Sequence, residues 1–184
     1  MNKTEKKIQL ALVDDHQIII DGLVSLIKNH NTIEVVCTAN SGEAMLLLLH
    51  QNSIDVLLTD VVMNGMSGQA LAKIVKQQYP NIKIIALSMS GVGEIVDEMI
   101  KDADISGYLL KQTDKAELIQ AIEQVFNGGI YFQPQIIAEL EKQSKLKQQT
   151  QAAHLTNREI EIIKLLEKDL SNKQIAEQLF ISIR

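Results

Sequence analysis

The runs Val56-Leu57-Leu58-Thr59-Asp60 and Ile84-Ile85-Ala86-Leu87-Ser88 are apolar almost throughout and polar at their last residue. A strand of this kind has no solvated face and must be covered on both sides, as in a parallel sheet with helices above and below. Working outward from them, strand-like runs occur at 8–13, 33–38, 54–59, 82–87 and 105–110. Amphipathic stretches at 16–29, 42–51, 68–78, 92–101 and 114–127 follow the runs in turn, each long enough to cross back over a sheet.

Five strand–helix units in this order predict an α/β fold, a doubly wound parallel sheet of the flavodoxin-like (βα)5 kind. The composition agrees: 184 residues with 46% hydrophobic content suffice for one full domain and a small module, and three Phe, three Tyr and no Trp leave the core to aliphatic residues. Cys37 is the single cysteine, so no internal disulfide exists and a reducing compartment, the cytoplasm by default, is expected. No apolar stretch approaches the roughly 18 residues of a membrane span. The net charge of −5 is uneven: residues 1–132 hold ten Lys and Arg against sixteen Asp and Glu, a net −6, and residues 133–184 hold eight against seven. An acidic front part argues against nucleic acid there and fits a cation site.

In such a sheet, ligands sit beyond the carboxyl ends of the strands. Those ends carry Asp14 and Asp15, Asp60, Ser88 and Lys111. Three carboxylates gathered at one edge need a compensating cation, since two of them about 4 Å apart repel by roughly 4 kcal/mol at an effective dielectric of 20. A hard divalent ion such as Mg²⁺ suits oxygen ligands and phosphate together. The coherent chemistry is a carboxylate nucleophile toward a phosphoryl group, with Asp60 as the nucleophile, and Ser88 and Lys111 holding the remaining oxygens. Met63, Met66 and Met89 read as ordinary packing. His16, His30, His50 and His154 show no metal-ligand spacing.

Val13-Asp14-Asp15-His16, Thr59-Asp60-Val61-Val62-Met63, Ala86-Leu87-Ser88 and Gly107-Tyr108-Leu109-Leu110-Lys111 resemble, in order and spacing, the receiver motifs of two-component response regulators of the NarL/FixJ (LuxR-type) family. The resemblance spans about residues 8–127. It implies that Asp60 is the phosphoacceptor, served by a sensor histidine kinase. It further implies Mg²⁺ held by Asp15, Asp60 and the Val62 backbone carbonyl, with Asp14 acting through water. Ser88 and Tyr108 would be the switch pair, and Lys111 a clamp that contacts only the phosphoryl group. The sequence departs from the family at Asn64, usually Pro, and at Ile20, often Arg. Because Asn lacks the fixed φ of Pro, a looser loop after Asp60 is expected.

Residues 133–151 are rich in Gln, Lys and Glu and read as a partly helical connector. Thr156-Asn157-Arg158-Glu159 and Ser171-Asn172-Lys173-Gln174 match capping boxes that open two short helices. With Leu155, Ile163, Leu165, Leu166, Ile175 and Leu179, they resemble the start of a LuxR-type helix-turn-helix over about 155–184. On that resemblance the recognition helix is absent, barely begun at Ile183-Arg184, and Lys173 is the residue placed to contact DNA phosphate.

The expected organisation is a receiver at 1–130, a partly helical linker at 131–152 and an incomplete all-α helix-turn-helix at 153–184. The expected function is transcription control through phosphorylation of Asp60, by a homodimer without enzymatic activity beyond slow autodephosphorylation. Promoter DNA would be the partner of an intact form and no membrane would be involved. The alternative is a kinase-sequestering or heterodimerising partner that binds no DNA. A phosphatase of the haloacid dehalogenase kind needs a second Asp two residues after the nucleophile, where this chain has Val62.

Overall fold

The computed structural model describes residues 7–89, 93–152 and 174. The chain divides after Leu140 into two compact units, Met1–Leu140 and Glu141–Arg184. In the first, the elements are β1 (Ile8–Val13), α1 (Gln17–Ile27), β2 (Ile33–Ala39), α2 (Gly42–Leu49), β3 (Val56–Asp60), α3 (Gly68–Gln78), β4 (Lys83–Ser88), α4 (Gly93–Ala103), β5 (Gly107–Leu110), α5 (Lys115–Phe126) and β6 (Tyr131–Phe132). The helix α6 (Pro134–Ala152) begins in the first unit and continues into the second.

The sheet is parallel in the order β2-β1-β3-β4-β5-β6. The five expected strand–helix units are present, and a two-residue strand, β6, extends the sheet by pairing Tyr131 with Gly107 and Phe132 with Tyr108. The connector expected to be partly helical is helical throughout 134–152.

Alternation along the strands splits the core into two layers. Leu10, Leu12, Val56, Leu58, Ile85, Leu87 and Leu109 pack on one face with α1 and α5 residues such as Ile27, Leu118 and Ile122. Ala11, Val13, Leu57, Ile84, Ala86 and Tyr108 pack on the other with α2, α3 and α4 residues such as Met45, Leu71, Val75, Val96 and Met99. Both faces are therefore covered, which is why the strands carry almost no polar residue before their ends.

Register brings the strand ends level: Val13 pairs with Thr59, Asp60 with Leu87, and Ser88 with Leu110. The helices start at caps that satisfy their first amides. The hydroxyls of Ser41 and Ser67 accept from Ala44 N and Ala70 N, and the Asp114 carboxylate accepts from Glu117 N. Gly68, the first residue of α3, lies so close under β3 that a Cβ there would overlap the Asp60 carbonyl oxygen. Ile20, at the position often Arg in the family, is buried in α1.

No helix among the described residues is long and apolar enough to cross a membrane. The capping boxes at 156–159 and 171–174, Lys173 and the helix-turn-helix reading of 155–184 lie outside the described residues, except Gln174, which is helical and exposed.

Candidate functional site

β1 and β3 are neighbours whose following helices lie on opposite faces, and the crevice beyond their ends is the topological switch point of the sheet. Asp14 and Asp15 follow β1 and Asp60 ends β3. From beyond β4, Lys111, which follows β5, extends its ammonium to Asp14 and Asp60: Nζ lies 2.6 Å from Asp14 Oδ2 and 2.8 Å from Asp60 Oδ2. Asp14 is 1% exposed, Asp60 4% and the Lys111 side chain 6%, so these pairs are desolvated. The expectation that Lys111 contacts only a phosphoryl group is corrected, because the ammonium already bridges two carboxylates.

The backbone completes the arrangement. Val62 N donates to Asp60 Oδ1 at 3.3 Å, and His16 N donates to Asp14 Oδ1 at 2.9 Å. The His16 ring, which spacing alone had not marked, places Nδ1 2.8 Å from Asp15 Oδ1 and 3.3 Å from Asp14 Oδ1. Asn64 donates to Asp15 Oδ2 twice, from its backbone N at 3.1 Å and its Nδ2 at 2.7 Å. The loop after Asp60 is accordingly tied at Asp15, and again at Met66 N, which donates to Glu43 Oε1 of α2 at 3.1 Å. Asn64, from which a looser loop was expected, supplies both of the ties to Asp15.

Electrostatics follow this geometry. Burial raises the Asp60 pKa and the neighbouring Asp14 charge adds to the rise, with Lys111 opposing it. Burial alone would lower the Lys111 pKa, but its contacts with Asp14 and Asp60 outweigh burial and raise it. For Asp15, burial acts upward and is overcome by the Asn64 amide and the His16 ring, so its pKa falls.

Three carboxylates face one lysine, which leaves an excess of two negative charges. One ligand atom from each of Asp14, Asp15, His16 and Asp60 lies within 4.8 Å of the others. Asp14 Oδ2 and Asp15 Oδ1 are buried and make no aligned hydrogen bond, their close partners being the Lys111 ammonium and the His16 ring. An oxygen-rich cluster of this charge can hold a divalent metal.

Ser88 ends β4 and is buried, and it shares a hydrogen bond with Tyr108, which is fully buried and whose pKa is raised, burial being the largest cause. Behind Lys111, a polar network links β5 to the start of α6. Leu110 N, next to Lys111, donates to Gln133 Oε1 at 2.6 Å, and Gln133 Nε2 donates to Glu117 Oε2 at 2.7 Å. Glu117 also accepts from Thr113 Oγ1 and Tyr131 Oη. Gln133 is 4% exposed and its carbonyl accepts from Ile136 N and Ile137 N in the first turn of α6.

Comparison with known proteins gives two family matches. The response regulator receiver domain matches residues 10–123, and the bacterial regulatory proteins of the luxR family match residues 153–184. The chain is 31% identical to the transcriptional regulatory protein DegU of Brevibacillus brevis over 97% of its own length and 82% of that protein's. It is 36% identical to the transcriptional regulatory protein YxjL of Bacillus subtilis strain 168, over 99% and 84% of the two chains. Among solved structures, a LuxR-family two-component response regulator from Aurantimonas sp. SI85-9A1 superposes with a TM-score of 0.71 at 27% identity, covering 76% of this chain and 99% of that one. The response regulator RcsB in complex with DNA gives 0.75 at 26% identity, over 96% and 85%.

Proposed function

The chain belongs to the response regulators, transcriptional regulators that join a receiver domain to a LuxR-type DNA-binding domain, and on that premise we propose that phosphorylation of Asp60 by a sensor histidine kinase controls its action on transcription. The observation that carries this reading is the Asp60 carboxylate itself, buried at the switch point beside Asp14 and gripped by Lys111.

An Asp60 oxygen attacks the phosphorus of the donor's phosphohistidine. The P–N bond breaks, its electron pair returns to the imidazole, which takes a proton from solvent, and an acyl phosphate remains on Asp60. In slow autodephosphorylation, a water oxygen attacks the same phosphorus, the P–O bond to Asp60 breaks, and inorganic phosphate and the free carboxylate are restored. Mg²⁺, held by Asp15, Asp60 and the Val62 carbonyl with Asp14 through water, would neutralise the phosphoryl oxygens. Lys111 is placed to move from Asp60 to the phosphoryl group while keeping its pairing with Asp14. Val62 N holds the Asp60 carboxylate in one orientation. Ser88 and Tyr108, on the neighbouring strands, carry the state of the site toward α4 and β5 as the switch pair.

In this organisation residues 1–130 form the receiver, 131–152 the linker and 153–184 the DNA-binding module, where Lys173 is the phosphate-contacting residue. The protein is cytoplasmic and homodimeric, and promoter DNA is the partner of its LuxR-type domain.

The test uses Mg²⁺ and phosphoramidate, a small P–N donor, with association followed by size exclusion and light scattering. A shift toward dimer that depends on Asp60 supports the reading. Phosphorylation with no change in association or in DNA binding would favour the kinase-sequestering alternative instead.

A further inference from the structure

A proline at position 64 would have no N–H and no side-chain amide, so neither of the two donors on Asp15 Oδ2 could exist with the residue usual in the family. We infer that Asn64 is a positioning residue for the divalent cation, holding Asp15 Oδ2 on two N–H groups so that Oδ1 is the oxygen presented to Mg²⁺. The inference rests on the Mg²⁺ reading of the acidic cluster and assigns a further role within it.

Three features support it. First, the two oxygens of Asp15 are unlike: Oδ2 is satisfied twice, whereas Oδ1 is buried without an aligned hydrogen bond and lies 2.8 Å from the His16 ring. That ring is 66% exposed and can swing into water when a cation arrives. Second, Asn64 is not a free surface side chain. The loop that carries it is fixed by Gly65 at φ +77°, by the Met66 N to Glu43 bond, by the Ser67 cap and by Gly68 N donating to the Val61 carbonyl. Third, a carboxylate that coordinates a metal through one oxygen is usually hydrogen-bonded at the other. Removing such a partner typically lowers metal affinity about 10–100-fold.

The opposite sign is the rival. If Mg²⁺ needed Oδ2, the Asn64 bonds would compete with it and their removal would tighten binding. The favoured sign follows from Oδ1 making no aligned hydrogen bond and having an exposed ring, His16, as its close partner.

The experiment measures Mg²⁺ affinity by isothermal calorimetry on the full chain for wild type, Asn64→Ala and Asn64→Pro, alongside the Tm of each in EDTA. Asn64→Ala loses only the side-chain donor and Asn64→Pro loses both. The expected result is a Kd weakened several-fold in Asn64→Ala and about 10-fold or more in Asn64→Pro, with little change in the metal-free Tm. A purely structural role would move the Tm and leave the Kd of the folded variants unchanged. Unchanged or tighter Mg²⁺ binding in the variants overturns the inference, and Asn64→Ala alone decides it if the proline variant does not fold. Absence of Mg²⁺ binding by folded wild type overturns the cluster reading itself, and the inference with it.

Discussion

Lys111 Nζ lies 2.8 Å from Asp60 Oδ2 although β4 stands between their strands, and the same ammonium holds Asp14 at 2.6 Å. One cation thus stabilises two buried anions. Lys111→Ala should leave both carboxylates uncompensated and destabilise the metal-free receiver by about 3–5 kcal/mol, the usual cost of removing one partner from a buried pair. Urea denaturation in EDTA measures it. A loss below about 1 kcal/mol would mean that the ammonium is dispensable to the resting site.

Asp60→Asn should have the opposite effect. The Asp60 pKa is raised, by burial first and by Asp14 next, so its ionised form works against folding at neutral pH. A carboxyl whose folded-state pKa lies above its unfolded value contributes stability at low pH that is lost as pH rises through the folded pKa. At pH 7 without metal, Asp60→Asn should therefore melt a few degrees above wild type, about 2–4 °C for each kcal/mol relieved. The gap should close as pH is lowered through the Asp60 pKa. Equal Tm values at pH 7 would contradict this.

Gln133 is a buried amide with both ends engaged, and its loss leaves Leu110 N without this acceptor and takes from Glu117 one donor beside Thr113 and Tyr131. Gln133→Leu keeps the volume and removes the polar atoms, so it should destabilise the fold by about 1–3 kcal/mol. Hydrogen exchange should then rise at the amides of Leu110 and Ile136. Protection unchanged at Leu110 would show that another acceptor replaces Gln133.

Gly68 allows α3 to start directly against β3. A methyl group there meets the Asp60 carbonyl, which is backbone and cannot turn aside. Gly68→Ala should cost about 1–3 kcal/mol and reduce phosphorylation at Asp60 more than a comparable loss from a distant core site such as Ile27→Val. Normal phosphorylation and stability in Gly68→Ala would show that the helix can shift freely.

The strands were legible in the sequence because each is buried on two faces, and apolar runs such as Val56 to Leu58 have no other home in a chain of this length. The site was legible for a related reason: Asp14, Asp15, Asp60, Ser88 and Lys111 stand at run ends, and parallel strands put run ends on one edge. What escaped depends on contacts between distant segments. β6 has two residues, too few to show a period. Gln133 reads as part of a polar connector until β5 and α5 close around it. Asn64 gave no sign that it reaches Asp15, 49 positions earlier. His16 lacked any metal-ligand spacing because its contacts come from its own loop.

Phosphoryl transfer to Asp60 is the step on which the proposed function stands. Intact-mass spectrometry after incubation with Mg²⁺ and phosphoramidate tests it most directly, with wild type and Asp60→Asn side by side. Wild type should gain the mass of one phosphoryl group and lose it on mild alkaline treatment, as an acyl phosphate does, while Asp60→Asn should gain none, since its amide is a poor nucleophile. Equal labelling of the two proteins, or a gain that survives alkali, would contradict it.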